Sequence, residues 1–327
     1  MCSRFWPLSA ALLVLLNVVP ALVIAASPDS KAVSKTADAV VAPVEPAIRK
    51  ISHLYNITDS NTGTLMLPTD VEVYQKRVYV VDSGNNRLLV LGEDGNTQLS
   101  IGREGNGNGE FQDPVGIGVD RHGLIYVADT GNHRIQIFSG QGEFQASFSV
   151  VSEGVLIRPI DVAVDPKSSH IFVTGNNNHK IMVFNRSGRL LREWGGNGAA
   201  IGKFRYPATI AVTPELDIGI VDVFNTRVQL FQPDGRFLVK IGSWGVLPGQ
   251  LFRPKGIAID VDGRIYISDS YMNVIQVFND SGDFLHVLRQ KDTGHVMTTP
   301  SGIAVSGNNR LYVAEMLRHR ISVFQMD

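Results

Sequence analysis

Beyond residue 50 the hydrophobic and polar positions alternate in short runs and form no helical stripe. One stretch shows the plan: GIGVD (116–120), an RHG turn, LIYVAD (124–129), a TGNH turn, RIQIFS (134–139), then GQG and FQASFSV (144–150). These runs are β-branched or aromatic, and the Gly and Asn residues between them accept positive φ, so they predict four consecutive antiparallel strands.

The same phrase recurs along the chain. The position that ends the second strand is Asp82, Asp129, Gly175, Asp222, Asp269 and Glu315, at spacings of 47, 46, 47, 47 and 46 residues. A proline opens each unit, at Pro68, Pro114, Pro159, Pro207, Pro254 and Pro300. Two landmarks at one period identify an internal repeat. Four short strands per repeat predict an all-β, six-bladed β-propeller, with the first strand of each blade at the axis and the fourth at the rim. The recurrent Phe138, Phe184, Phe231, Phe278 and Phe324 are read as core between blades.

The sixth unit stops at RISVFQMD (320–327) without a rim strand, whereas RKISHLYNIT (49–58) alternates suitably and has no blade of its own. Supplying 49–58 as the fourth strand of the last blade closes the ring and protects its edges. The propeller is therefore placed at 49–327. Residues 1–26 carry Arg4, an apolar run over 7–26 and the small pair Ala25-Ala26, and read as an export signal peptide. The alternative is a retained membrane anchor through 7–26. Residues 27–48, rich in Ala, Val, Pro and Ser, read as a flexible spacer. The expected location is periplasmic or extracellular.

The single cysteine, Cys2, leaves the propeller without disulfide or thiol chemistry. A formal charge of −1 supplies no basic excess for wrapping nucleic acid, which is not expected as a partner.

Four acid positions have arginine five residues on: Asp82 with Arg87, Asp129 with Arg134, Asp222 with Arg227, and Glu315 with Arg320. A hairpin brings each pair together, and repetition assigns them to structure: charge-assisted bonds that fasten the turn. The units that break the phrase attract the functional reading. DSYMNVI (269–275) places Tyr271 and Met272 in the turn, and EMLRHR (315–320) places Leu317, Arg318 and His319 there. Apolar and cationic groups in such loops suit contact with a protein partner. Among connectors, Phe111, Phe204 and Phe252 are expected anchors, and Trp194 and Trp244 are expected at corresponding starts, buried between blades.

The chain resembles the NHL-repeat six-bladed β-propellers of exported bacterial type. The resemblance rests on FQDPVGIGVDRHGLIYVADTGNHRIQIFSGQGEF (111–144), FRYPATIAVTPELDIGIVDVFNTRVQLFQPDGRF (204–237) and FRPKGIAIDVDGRIYISDSYMNVIQVFNDSGDF (252–284). It implies a monomeric, non-catalytic protein-interaction or assembly scaffold. More distantly the chain is similar to peptidyl-amidoglycolate lyases, secreted propellers whose histidines hold an axial divalent metal. That similarity implies the alternative function, a divalent-metal-dependent lyase or hydrolase at the axial face. Tyr271 lies in a D-x-Y-x-N phrase like that of the lyases' catalytic tyrosine. The positions matching their histidine entries hold Thr69, Val115, Ile160, Ala208, Lys255 and Ser301, and none is histidine. No cofactor is expected. Zinc would have to use the turn trio His133, His179 and His319, and calcium would need axial carboxylates.

Overall fold

A computed structural model describes residues 48–290 and 297–326. The segment read as signal peptide (1–26) and all but the last residue of the spacer (27–48) lie outside the described residues; that last residue, Ile48, belongs instead to a strand. The remainder is all-β, with six four-stranded antiparallel blades arranged as a propeller. Blade 2 runs Pro114–Val119, Ile125–Asp129, Arg134–Phe138 and Phe144–Ser149 from axis to rim, and the other blades repeat this order.

Three kinds of contact weld the blades. Large side chains fill the space between them: Phe138, Phe184, Phe231, Phe278 and Phe324 are all at most 1% exposed. The cluster holding Phe138 combines Tyr79, Val81 and Leu88 of blade 1 with Ile117, Ile125 and Val127 of blade 2. Burying one such ring is worth roughly 2–3 kcal/mol. Nearer the axis, a hydroxyl crosses every junction. Thr69 donates to the Val115 carbonyl (2.7 Å), Thr130 to Pro159 (2.6 Å) and Thr174 to Ala208 (2.7 Å). Thr209 donates to Lys255 (2.7 Å), Ser268 to Ser301 (2.7 Å), and Ser301 back to Thr69 (3.0 Å). The circle of hydrogen bonds is closed.

The third contact is the ring closure. Ile48–Ile57 pairs antiparallel with Arg320–Met326, from Ile51 opposite Met326 to Ile57 opposite Ile321, and completes blade 6. Its first residues do something more. Ile48 to Ile51 also pair in parallel with Val287 to Gln290, the rim of blade 5, so the final two blades form one eight-stranded sheet. The N-terminal strand is a clasp across two blades.

Two connector expectations are corrected. The buried anchors are Phe111, Phe204 and Leu251, each bridged in parallel to the connector start and each three residues before the inner-strand proline. Phe252 is only two residues before Pro254, so it falls outside the anchor position and is half-buried. Trp194 and Trp244 do not correspond. Trp194 lies within the rim strand Leu190–Gly195, half-buried against Phe172 and Phe231, whereas Trp244 lies in the connector and is 71% exposed.

Candidate functional site

The repeated hairpin is built from the carboxylate outward. Asp129 ends its strand fully buried. Its Oδ1 accepts the Gln112 amide (2.8 Å) and its Oδ2 accepts Arg134 Nε (2.7 Å) and Gln136 Nε2 (3.0 Å). Arg134 then reaches the Gly107 and Glu110 carbonyls (2.7 and 2.8 Å). One ion pair therefore holds the turn, the incoming connector and the entry of its own blade together. Asp82 with Arg87 (2.6 Å), Asp222 with Arg227 (2.8 Å) and Glu315 with Arg320 (2.8 Å) repeat the contact.

The exceptions have local reasons. At Gly175 the missing side chain's space is taken by the Asn178 carboxamide, and Lys180 turns to Glu153 (2.7 Å) and Glu193. Asp269 lacks an arginine because position 274 is valine. It accepts four backbone amides instead, those of Phe252, Arg253, Tyr271 and Met272, at 2.7–3.1 Å.

The turn residues after these acids face solvent together with the connectors. Two residues beyond the acid stand Phe224, Tyr271 and Leu317, exposed by 59%, 59% and 58% on three consecutive blades. Blades 1 and 2 have Gly84 and Gly131 there, where a Cβ would lie 2.7 Å from the Met66 carbonyl oxygen and 2.6 Å from that of Gln112. Aromatic contacts extend the apolar surface. Tyr206 meets Phe224 edge-on (4.9 Å), and Phe252, displaced from the anchor position, stacks on Tyr271 (4.1 Å) and touches Trp244 (6.2 Å). Val246 and Leu247 project beside Trp244. Of the residues singled out from sequence, Tyr271, Leu317, Arg318 and His319 are exposed on this face and Met272 is half-buried. Phe224 and Tyr206 were missed, and Trp244 was expected to be buried. Phe224 occupies the same repeat position as Tyr271, and register alone could have found it.

The histidine trio is distributed, not convergent. His133, His179 and His319 each take a left-handed conformation at the end of their turn (φ 56°, 55° and 54°). His179 Nδ1 accepts the Tyr206 amide (3.2 Å) and His319 Nδ1 the Leu67 amide (3.0 Å), joining each turn to the next blade's entry.

A second site lies on the axis. A cavity of about 410 Å³ is walled by inner-strand Val, Ile and Ala, with Tyr74, Arg121 and Val261 toward one mouth. Four carboxyls line it: Asp260, paired with Arg264 (2.8 Å) in the turn after its inner strand, and Asp70, Glu72 and Asp161 on the inner strands themselves. The equivalent positions elsewhere are Gly, Ala or Thr, which is the signal that PTDVEV and PIDVAV carried and sequence reasoning passed over. Those glycines make the room. A Cβ on Gly302 would fall 2.1 Å from Asp70 Oδ1, and one on Gly116 would fall 2.2 Å from Asp161 Oδ1. Asp70 accepts the Ile117 amide (3.1 Å); Asp161 accepts those of Val162 (2.8 Å) and Ile210 (2.9 Å). Burial pushes Asp70 up to about 7, against the pull of backbone amides. Burial, then the charge of Asp70, pushes half-buried Glu72 up to about 8. Asp161 is also raised well above the carboxylate range, by burial first and Asp70 second.

This chemistry does not fit a divalent metal. Among the described residues no group of three or more His, Cys, Asp or Glu side chains converges to hold one. Oxygens of Asp70 and Asp161 are already engaged by backbone amides.

The NHL repeat model matches residues 111–138 and 253–278. No curated protein matches the sequence. Solved structures of similar fold include a gluconolactonase from Xanthomonas campestris, at 15% identity and TM-score 0.62, covering 88% of this chain and 99% of that one. Another is virginiamycin B lyase from Staphylococcus aureus, at 16% identity and TM-score 0.58, covering 85% and 99%. A Bacteroides thetaiotaomicron protein of unknown function aligns at 14% identity and TM-score 0.66, covering 85% and 76%. At these identities the likeness is one of fold. The chain thus carries NHL repeats at 111–138 and 253–278 within a six-bladed β-propeller.

Proposed function

We propose that this protein is an exported, non-catalytic interaction module that holds a protein partner, in the periplasm or outside the cell, on the connector face of blades 4–6. One observation carries the reading: Phe224, Tyr271 and Leu317 are exposed at equivalent positions on neighbouring blades, with Trp244, Val246 and Leu247 beside them. Exposed apolar groups repeated on a rigid frame suit an association site, and aromatic anchors dominate such interfaces. Export is supported by Arg4, the apolar run 7–26 and Ala25-Ala26.

The test is recovery of a partner by the full chain and by a Phe224→Ser, Tyr271→Ser, Leu317→Ser variant. The variant, whose changes are all at exposed positions, should melt like the parent and lose a protein that Val261→Ser retains. Equal recovery by all three removes the proposal.

A second reading, lyase or hydrolase chemistry, is favoured by the axial cavity and its inner-strand carboxyls Asp70, Glu72 and Asp161, and by the activities named for two similar structures. A carboxyl held near neutrality can pass a proton. Turnover of a lactone or cyclic ester that disappears in Asp70→Asn, with the melting temperature preserved, would establish it.

A further inference from the structure

The connector face is electrically divided. The described stretches that blades 4–6 contribute are 195–208, 222–227, 242–256, 269–274, 297–301 and 315–320. Their only acids are Asp222, Asp269 and Glu315, each 0% exposed and bonded to arginine or backbone amides. Lys203, Arg205, Arg253 and Arg318 are exposed there. Lys255 is half-buried beside Arg253, and burial, then that neighbour's charge, lowers its pKa. On blades 1–3 the corresponding stretches are mixed: they expose the acids Glu104, Asp113 and Glu153 beside the cations Arg103 and Arg158.

From this charge pattern we infer that the partner is an acidic protein segment with apolar anchors. Its carboxylates meet Arg205, Arg253 and Arg318, and its anchors meet Phe224, Tyr271 and Leu317. The inference rests on the reading of this face as a protein-binding surface and supplies the chemistry of what binds. Complementary charge sets encounter rate and excludes wrong partners, while the apolar anchors supply affinity. Blades 1–3, where exposed acids are interspersed with cations, offer the same segment no comparable acid-free surface.

Two other anionic partners are less well matched. Single-stranded nucleic acid uses free aromatic faces for stacking, whereas Tyr271 is already stacked on Phe252 at 4.1 Å, and the chain's formal charge is −1. Anionic membranes are held by clusters of about 4–8 cations in one short segment, whereas these cations are spread over three blades.

A displayed random peptide library selected on the full chain tests the inference. Enriched peptides are then measured on the parent, on a Phe224→Ser, Tyr271→Ser, Leu317→Ser variant, and on an Arg205→Glu, Arg253→Glu, Arg318→Glu variant. The expected ligands are net negative and carry aromatic or aliphatic residues. Their affinity should fall about tenfold or more in the charge-reversed variant and weaken with salt. Neutral or basic ligands, acidic ligands indifferent to charge reversal, or no enrichment overturns the inference. So does stronger binding to 70:30 phosphatidylcholine–phosphatidylglycerol vesicles or to a single-stranded oligonucleotide. Peptides that bind the triple-serine variant undiminished would instead refute the reading of the face itself.

Discussion

Asp129 and Asp161 are both buried aspartates, 32 positions apart in one chain, and their chemistry diverges because their neighbours differ. Asp129 has an arginine and acts as a fastener. Asp161 has two amides and no ion-pair partner among the salt bridges of the described residues, and it shares the axis with Asp70 and Glu72. A raised carboxyl pKa keeps its proton in the fold after the unfolded chain has released it. The resulting stability is complete below about pH 4 and is lost as pH rises through the folded values near 7 and 8. Melting temperature should therefore fall between about pH 5 and pH 8.5. Asp70→Asn with Glu72→Gln should flatten that slope and raise the melting temperature at the alkaline end. A parent whose stability climbs across the same interval would refute the assignment. The fastening acids were legible because they repeat. The axial acids were not, because each breaks its pattern once, and a single Asp in an inner strand carries no sign of facing a shared axis.

Among elements, Ile48–Ile57 has the greatest leverage, since it closes the ring and couples blades 5 and 6. It also carries Ile51 and Ile57, each buried in a core cluster. A chain beginning at residue 58 should keep most of its strand signal but melt roughly 10 °C lower or more, because both side chains go with the strand. It should also associate through the bared edge of Arg320–Met326. Circular dichroism with light scattering reads both, and a monomer with parental melting would contradict the clasp. Strand number, order and closure were visible in sequence because period-2 alternation and turn residues are local properties. The parallel pairing of Ile48 to Ile51 with Val287 to Gln290 was not, because it depends on how two blades abut. The misplaced anchor at Phe252 has a simpler cause: aligning phenylalanine with phenylalanine overrode the constant three-residue spacing to proline, which Leu251 keeps.

At the scale of the molecule, the propeller offers an apolar, cationic connector face on blades 4–6 and an axial cavity lined by carboxyls. Sequence reading found the first in part. Tyr271 and Leu317 departed from their repeat, but the surface they make with Phe224, Tyr206 and Trp244 depends on inter-blade geometry. The most direct test is site-specific photo-crosslinking of the full chain in cells that express it, with the probe at position 271 or at position 261. Val261, 83% exposed, belongs to the turn after an inner strand and rims the cavity. A discrete protein adduct from position 271, absent from 261 and abolished by Phe224→Ser with Leu317→Ser, is the predicted result. Adducts from position 261 alone, or none from 271, would contradict the account.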